Sequence, residues 1–339
     1  MRVALDASYS VDPQPSGISV YSNNLLTGLA LAHPGDRFLH CYRPKQLWRS
    51  PAPAHANVTR TLLQPFVRAE MFHALNQRVD WRIAKRVVTT FHDLFVFSGD
   101  YSSKEFKERF THQARDAAAQ SDLIITVSEF TARQVTDFLG VRPEQIRVVP
   151  HGVRPAPVLK VPREQIVLFV GALQVRKNIS RLVSAFRVLP EPWRLVLAGS
   201  SGGFGAGEIL NVIERSRARA RIELPGYVSQ AELDKLFACA SIFAFPSLDE
   251  GFGIPVLEAM SRGVPVLTSN GSALAEVAGG AALLVNPYDT DEIAAGLQQL
   301  AFDTDMRQRL IRAGYRRASQ FTWEGAVERT YRTYCELSD

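Results

Sequence analysis

The sequence predicts an α/β protein of two domains, each built on a parallel sheet, and three observations predict it. Its 339 residues exceed what one hydrophobic core usually organises, so two domains of about 150 residues each are expected. Short apolar, β-branched runs alternate with longer helix-like segments from end to end, the pattern of parallel strands joined by helical crossovers. Midway, the stretch His151-Gly-Val-Arg-Pro-Ala-Pro-Val-Leu-Lys-Val-Pro162 carries three prolines, which block helix and central-strand pairing alike and mark a linker.

In chain order, the first half offers strands at Arg2–Leu5, Phe38–Tyr42, Val58–Leu62, Val87–Phe91, Leu123–Val127 and Arg147–Val149. The second half repeats the theme with Gln165–Val170, Arg194–Ala198, Ile222–Leu224, Ile242–Phe245, Val264–Thr268 and Ala282–Val285, and with helices near 178–189, 230–240, 255–262, 272–278 and 290–300. Ser128 reads as a helix N-cap, and so do the aspartates of the Asp-Thr-Asp triplets at 289–291 and 303–305, in preference to a metal motif. Near the end, Trp323, Val327 and Tyr331 recur at a spacing of four, giving one apolar helix face that must dock.

Hydrophobic residues make up 46% and charged residues 22%, which excludes a disordered or fibrous chain. Cys41, Cys239 and Cys335 lie far apart and are odd in number, against a disulfide framework or zinc cluster and for a reducing compartment. Asp6 interrupts the amino terminus, and no later apolar run reaches a membrane-spanning length, so neither signal peptide nor span is expected and the cytosol is the expected location. Residues 1–160 carry 20 Lys and Arg against 14 Asp and Glu, whereas 161–339 carry 19 against 20. The basic first half suits a phosphorylated ligand or an anionic lipid surface, with solubility alone as the plainer reading. It lacks an RNP, zinc-finger or helix-turn-helix pattern, so nucleic acid is not an expected partner.

The most informative stretch is Pro246-Ser-Leu-Asp-Glu-Gly-Phe-Gly-Ile-Pro-Val-Leu-Glu-Ala-Met260, which follows an apolar strand and runs into a short helix that Gly263 can close. Pro255 fits the first helical turn, and Gly251 and Gly253 let bare backbone approach a ligand at the helix amino end, where a phosphate is favoured. Glu250 stands at the carboxyl end of a parallel strand and Glu258 one turn into the helix, where dipole compensation is the plainer role. A second constellation, Phe169-Val-Gly-Ala-Leu-Gln-Val-Arg-Lys-Asn-Ile-Ser180, places Arg176 and Lys177 just before a helix amino terminus. Cations are unfavourable there unless an anion such as a pyrophosphate lies against them, or unless water solvates both. Gly17 in Ser16-Gly-Ile-Ser-Val-Tyr21 can open a helix start to phosphate. His92 in Phe91-His-Asp-Leu94 can bond a sugar hydroxyl, change charge near neutral pH, or simply cap its strand. Ser200-Ser-Gly-Gly-Phe-Gly-Ala-Gly207 lacks P-loop and dinucleotide spacing and reads as a mobile loop.

Together these residues resemble family 4 of the retaining nucleotide-sugar glycosyltransferases, and within it the bacterial mannosyltransferases of polysaccharide assembly. The specific match is Glu250-x7-Glu258, supported by Val-Gly-Ala-Leu-Gln-Val-Arg-Lys-Asn, Gly226-Tyr227, Ser-Gly-Ile-Ser-Val-Tyr, Phe-His-Asp-Leu, Val-Ser-Glu-Phe-Thr and Val-Pro-His-Gly-Val. The resemblance implies the GT-B architecture, two Rossmann-like domains facing across a cleft. Residues 1–158 would bind the acceptor, 159–320 the donor, and 321–339 would form a helix returning to the first domain. Closure is implied, with hinges near Pro155–Pro162 and before Phe321.

On the same implication Glu258 holds the ribose hydroxyls and Glu250 those of the transferred sugar. Backbone N–H groups at Phe252, Gly253 and Ile254 bind sugar and phosphate, and Arg176 and Lys177 neutralise the leaving diphosphate. Gly17 closes on the diphosphate, His92 touches the sugar, and the chain around Tyr227 reads the base. One departure is Ala172, where many members carry arginine. No metal and no resident cofactor are expected. The donor is expected to be GDP-mannose, with UDP and dTDP sugars as alternatives. The acceptor would be a glycan or lipid-linked saccharide at the inner membrane face, with peripheral contact to anionic lipid. An epimerase, a phosphorylase and a non-catalytic sugar-binding scaffold are the competing readings.

Overall fold

A computed structural model describes residues 1–12, 16–155, 157, 159 and 161–338. The chain forms two compact units. The first comprises residues 1–97, 104–152 and 321–339, the second residues 98–103 and 153–320. The boundary expected from sequence falls at Val158, which lies outside the described residues, as do Ala156 and Lys160 of the proline-rich linker.

The first unit runs β1 (Arg2–Asp6), α1 (Gly17–Ala32), β2 (Arg37–Tyr42), α2 (Pro44–Arg49), β3 (Val58–Leu62), β4 (Met71–Ala74), β5 (Arg86–Phe91), α3 (Phe95–Ser98), α4 (Lys104–Gln120), β6 (Leu123–Thr126), α5 (Glu129–Leu139) and β7 (Ile146–Val148). Its seven strands are all parallel, in the order β3-β2-β1-β4-β5-β6-β7, with Ala4 opposite both Leu39 and Phe72. Successive side chains point to opposite faces, so Val3 and Leu5 enter one apolar layer with Tyr21 and Leu25, and Ala4 enters another with Phe72 and Phe110. Ser128 caps α5 by accepting from the Thr131 N–H at 3.0 Å, as its position predicted.

The second unit runs β8 (Glu164–Val170), α6 (Ile179–Phe186), β9 (Arg194–Ala198), α7 (Ala206–Glu214), β10 (Ile222–Gly226), α8 (Gln230–Cys239), β11 (Ala240–Phe245), α9 (Ile254–Ser261), β12 (Val266–Ser269), α10 (Ser272–Ala278), β13 (Leu283–Val285), α11 (Thr290–Phe302) and α12 (Thr304–Ala318). Six parallel strands lie in the order β10-β9-β8-β11-β12-β13. Asp289 and Asp303 are N-caps, accepting from Asp291 and Glu292 and from Met306 respectively, which bears out the capping reading of both triplets. The sequence placed β12 two residues early, at Val264. Pro265 brings no N–H to the ladder, so pairing with β11 begins at Val266.

The last helix, α13 (Trp323–Ser338), packs on α1 within the first unit. Close approach requires Gly28, where a Cβ would lie 2.4 Å from Val327 Cγ2. Tyr331 stacks on His33 and donates its hydroxyl to Asp36 at 2.6 Å. Tyr334 is wholly buried, its hydroxyl 2.6 Å from His73 Nδ1, while His73 Nε2 meets Thr90 Oγ1 at 2.8 Å and Tyr21 reaches the same threonine at 2.9 Å. This buried polar string joins α13 to β4, β5 and α1. Neither Tyr334 nor β4 was visible in the sequence.

Candidate active site

Of the residues singled out in the second half, Arg176, Lys177 and Glu250 converge at the carboxyl ends of β8 and β11. These two strands are neighbours, with Leu168 opposite Phe243, so the loops that follow them emerge side by side. After β11, residues 246–253 lead into α9, whose N-cap Gly253 has φ +102° and whose first turn holds Pro255. Gly263, at φ +65°, turns the chain after that helix. After β8 the chain makes one tight 3-10 turn at Val175–Lys177 and enters α6 through Asn178 at φ +59°, a left-handed conformation that asparagine tolerates. The Asn178 amide donates to the carbonyls of Pro246 (2.9 Å) and Pro287 (2.6 Å), and the Leu248 N–H donates to the Arg176 carbonyl (2.8 Å). Two of these bonds lock the two loops together, and the third ties Asn178 to the turn after β13.

That locking sets Glu250 between Arg176 and Lys177. Arg176 Nη1 lies 3.1 Å from Glu250 Oε2, and Lys177 Nζ pairs with Oε1. All three side chains are nearly buried, with exposures of 13% for Arg176, 12% for Lys177 and 9% for Glu250. Lys177 Nζ also lies 4.8 Å from the centre of the Phe245 ring. Burial alone would raise the Glu250 carboxyl, but Lys177 and Arg176 outweigh it and hold the group below the usual carboxylate range. Two cations at the start of α6 call for an anion against them or for water around them. In the folded chain that anion is Glu250 itself.

Glu258 lies on α9, half-buried, and burial pushes its carboxyl above the ordinary range against the pull of Arg262 and Arg154. Beside it Asp234, on α8, binds Arg262 at 2.6 Å and Arg154 at 2.7 Å, and Arg262 Nη1 donates to the Glu258 carbonyl. Sequence reasoning missed Asp234, Arg154 and Arg262, which lie 28 to 80 positions apart in pairs and carry no motif. Phe252 is buried, and Ile254 opens α9 beside Gly253. Tyr227 is half exposed just beyond β10.

Gly17 and His92 belong to the first unit. Gly17 is the first residue of α1, behind a capping box in which Ser16 and Ser19 bond each other's backbone N–H. His92 follows β5, its Nε2 2.9 Å from the Leu75 carbonyl, so that nitrogen carries the proton, and its Nδ1 3.4 Å from His151 Nε2. Burial lowers its pKa to about 4, so the ring stays neutral from pH 5 to 8 and the charge change near neutrality does not occur.

The glycine-rich segment 200–207 is not a detached loop. Leu173 N–H donates to the Ser200 carbonyl (2.8 Å) and Val175 N–H to that of Phe204 (3.0 Å), and a Cβ at Gly203 would lie 2.2 Å from the Leu173 oxygen. Its glycines let this backbone brace the segment carrying Arg176 and Lys177. Among the described residues, no three His, Cys, Asp or Glu side chains converge as metal ligands.

Two family models match consecutive parts of the chain: Glycosyltransferase Family 4 over residues 34–156 and Glycosyl transferases group 1 over residues 155–317. The O-antigen chain mannosyltransferase B of Escherichia coli is 32% identical over 285 residues, covering 78% of this chain and 74% of its own. An MMP alpha-(1->4)-mannosyltransferase of Mycolicibacterium hassiacum is 32% identical over 66% of this chain and 56% of its own. Among solved structures, a sucrose-phosphate synthase from Thermosynechococcus elongatus superposes with a TM-score of 0.81 at 22% identity, over 99% of this chain and 98% of that one. The Anabaena protein HepE, in complex with UDP and glucose, gives 0.78 at 20% identity over 99% of each chain. The fold is GT-B, two Rossmann-like domains, and the chain belongs to the family 4 glycosyltransferases.

Proposed function

We propose that the protein is a retaining mannosyltransferase that moves mannose from GDP-mannose to a growing glycan, needing neither a metal ion nor a resident cofactor. Both relatives at 32% identity are mannosyltransferases by name. The observation that carries the chemistry is the Arg176–Lys177–Glu250 cluster at the carboxyl ends of β8 and β11. It sets two buried cations beside one carboxylate, next to a helix amino end.

In the proposed reaction the bond between the sugar's anomeric carbon and the diphosphate breaks, and its electron pair leaves with the phosphate oxygen. The acceptor oxygen bonds to that carbon on the departing side, and its proton passes to a phosphate oxygen, so the anomeric configuration is retained. The task of the protein is to stabilise growing charge on the diphosphate. Arg176, Lys177 and the backbone N–H groups of Phe252, Gly253 and Ile254 serve that end, helped by Gly17. Glu250 accepts hydrogen bonds from the sugar hydroxyls and Glu258 from the ribose, while the chain around Tyr227 meets the base. His92, neutral, offers Nδ1 to a sugar hydroxyl in place of its long contact to His151. The acceptor is a lipid-linked saccharide at the inner face of an anionic membrane, which the basic first half of the chain favours.

The test is a panel of GDP, UDP and dTDP sugars, with and without EDTA, read by thermal midpoint and by transfer to a mannose-terminated acceptor. A ligand at 100 times its Kd adds about 2.7 kcal/mol to stability. Stabilisation by GDP-mannose above the other donors, unchanged by EDTA, with an α-linked product, is the expected result. Stabilisation by a UDP sugar alone overturns the donor, and an EDTA-sensitive transfer overturns the metal-free chemistry.

A further inference from the structure

We infer that the amino-end groove of the first sheet is the surface by which the protein docks on an anionic bilayer. The inference rests on the membrane-facing acceptor of the proposed function and names the surface that meets the lipid. A groove of about 520 Å3 opens at the amino ends of β1, β4 and β5, where Arg2, Glu70 and Lys85 lie beside Arg68 and Arg82. This is the opposite end of the sheet from the carboxyl termini of its strands, where open α/β sheets take their ligands. Docking here leaves that end unobstructed.

Four exposed cations and one carboxylate, Glu70, line the groove, and of the four Arg82 is paired with Asp122 behind it. The Arg82 guanidinium is held in place by the carbonyls of Gln120 (2.5 Å) and Lys85 (2.8 Å) and by Asp122 (2.9 Å). Arg37, exposed and opposite Arg2 in the β1–β2 register, stands at the same end of the sheet.

Aromatic side chains separate a bilayer from other anionic partners. Phe66, 85% exposed, immediately precedes the lining residue Val67, and Trp81, 47% exposed, immediately precedes Arg82. A free phosphate or pyrophosphate would use the cations and leave both rings in water. At a bilayer the cations meet headgroup phosphates while the aromatic rings enter the interface. No described helix is long and apolar enough to cross a membrane, so contact of this kind would be peripheral.

The experiment is co-sedimentation of the full chain with vesicles of phosphatidylcholine alone or with about 30% phosphatidylglycerol at about 0.1 M salt. Two double variants accompany it, Arg68→Glu with Lys85→Glu, and Phe66→Ser with Trp81→Ser. Wild type should sediment with the anionic vesicles only. The charge reversal should lower partitioning at least tenfold, each basic residue being worth about fivefold, and the aromatic pair should lower it several-fold even when salt screens the charges. Thermal midpoints, and mannosyl transfer to a detergent-solubilised short acceptor, should match wild type in both variants.

Absent binding by wild type, equal binding to neutral vesicles, or undiminished binding by both variants overturns the inference. So does a wild-type dimer that either variant converts to monomer, which would make the groove a subunit interface. Displacement from vesicles by about millimolar pyrophosphate, with no effect of the aromatic variant, would make it a free-anion site instead. Vesicle binding without any mannosyl transfer sinks the proposed activity alone, and transfer without vesicle binding sinks the docking surface alone.

Discussion

Replacing Glu250 by Gln removes the shared counter-ion of Arg176 and Lys177 while keeping the volume of the side chain. Both cations are close to nine-tenths buried, so neither can recover its lost interaction from bulk water. Removing one partner of a buried ion pair typically costs about 3–5 kcal/mol, because the remaining charge stays uncompensated. A shift of about 2–4 °C per kcal/mol for a domain of this size puts the expected fall in thermal midpoint at roughly 6–20 °C. The cluster has a second potential source of negative charge, the diphosphate of the donor. Inorganic pyrophosphate or GDP should therefore raise the midpoint of Glu250→Gln by more than it raises that of wild type at equal saturation. Differential scanning fluorimetry with and without GDP measures both quantities. A midpoint within about 1 °C of wild type, or an equal GDP-induced shift in the two proteins, refutes the reasoning that Glu250 occupies the electrostatic place of the phosphates.

Lys177→Ala should lose about 10²–10³-fold in transfer, the usual effect of deleting one preorganised charge contact, with the fold intact by circular dichroism; near-wild-type turnover would remove Lys177 from the chemistry. Glu258→Gln should leave the unliganded protein as stable or more stable at neutral pH. The buried carboxyl has a raised pKa, so its stabilising contribution is present at acid pH and is lost as pH rises through the folded pKa. The same variant should weaken nucleotide binding about tenfold or more in calorimetry, and unchanged affinity would exclude the ribose contact. For Glu250 the sign is opposite: its pKa is depressed, so its stabilisation is complete above the unfolded carboxylate range and is lost as pH falls through the folded value, and acid titration of the Glu250→Gln variant should lack that component. Because His92 titrates near pH 4, transfer by wild type should show no inflection around 6.5 that disappears in His92→Gln.

Most strand positions were legible because parallel strands buried on both faces are short, apolar and β-branched, as those at Arg86–Phe91 and Arg194–Ala198 are. The strand Met71–Ala74 was not, since Met-Phe-His-Ala offers four residues, one of them a histidine whose burial depends on Tyr334 more than two hundred positions away. Caps were legible for the same local reason: Ser128, Asp289 and Asp303 bond the N–H groups two or three residues on. The convergence of Arg176, Lys177 and Glu250 was not. Each cation sits 73 or 74 positions from its carboxylate, and only the pairing of β8 with β11 brings them together. The glycines of 200–207 carried a signal that composition alone misassigned. They read as freedom, whereas Gly203 is required by contact with the Leu173 carbonyl, which no local pattern reveals.

An ion cluster that is already complete before ligand arrives changes what donor binding can supply. With Glu250 in place, the site presents two positive charges partly satisfied by one carboxylate, so the ground-state diphosphate gains less from Arg176 and Lys177 than it would from bare cations. As the sugar–phosphate bond breaks, charge accumulates on the leaving oxygen and the same contacts strengthen. Interactions that grow toward the transition state raise turnover, whereas those equally strong in the bound donor only tighten binding. In the proposed reaction Glu250 would serve catalysis twice, by holding the sugar hydroxyls and by tempering the grip on the ground-state diphosphate. The consequence is a split that a merely structural carboxylate would not produce: Glu250→Gln should bind GDP more tightly than wild type while transferring mannose more slowly. If GDP affinity and transfer fall together in that variant, the carboxylate acts on the donor as a whole, and the tempering role is wrong.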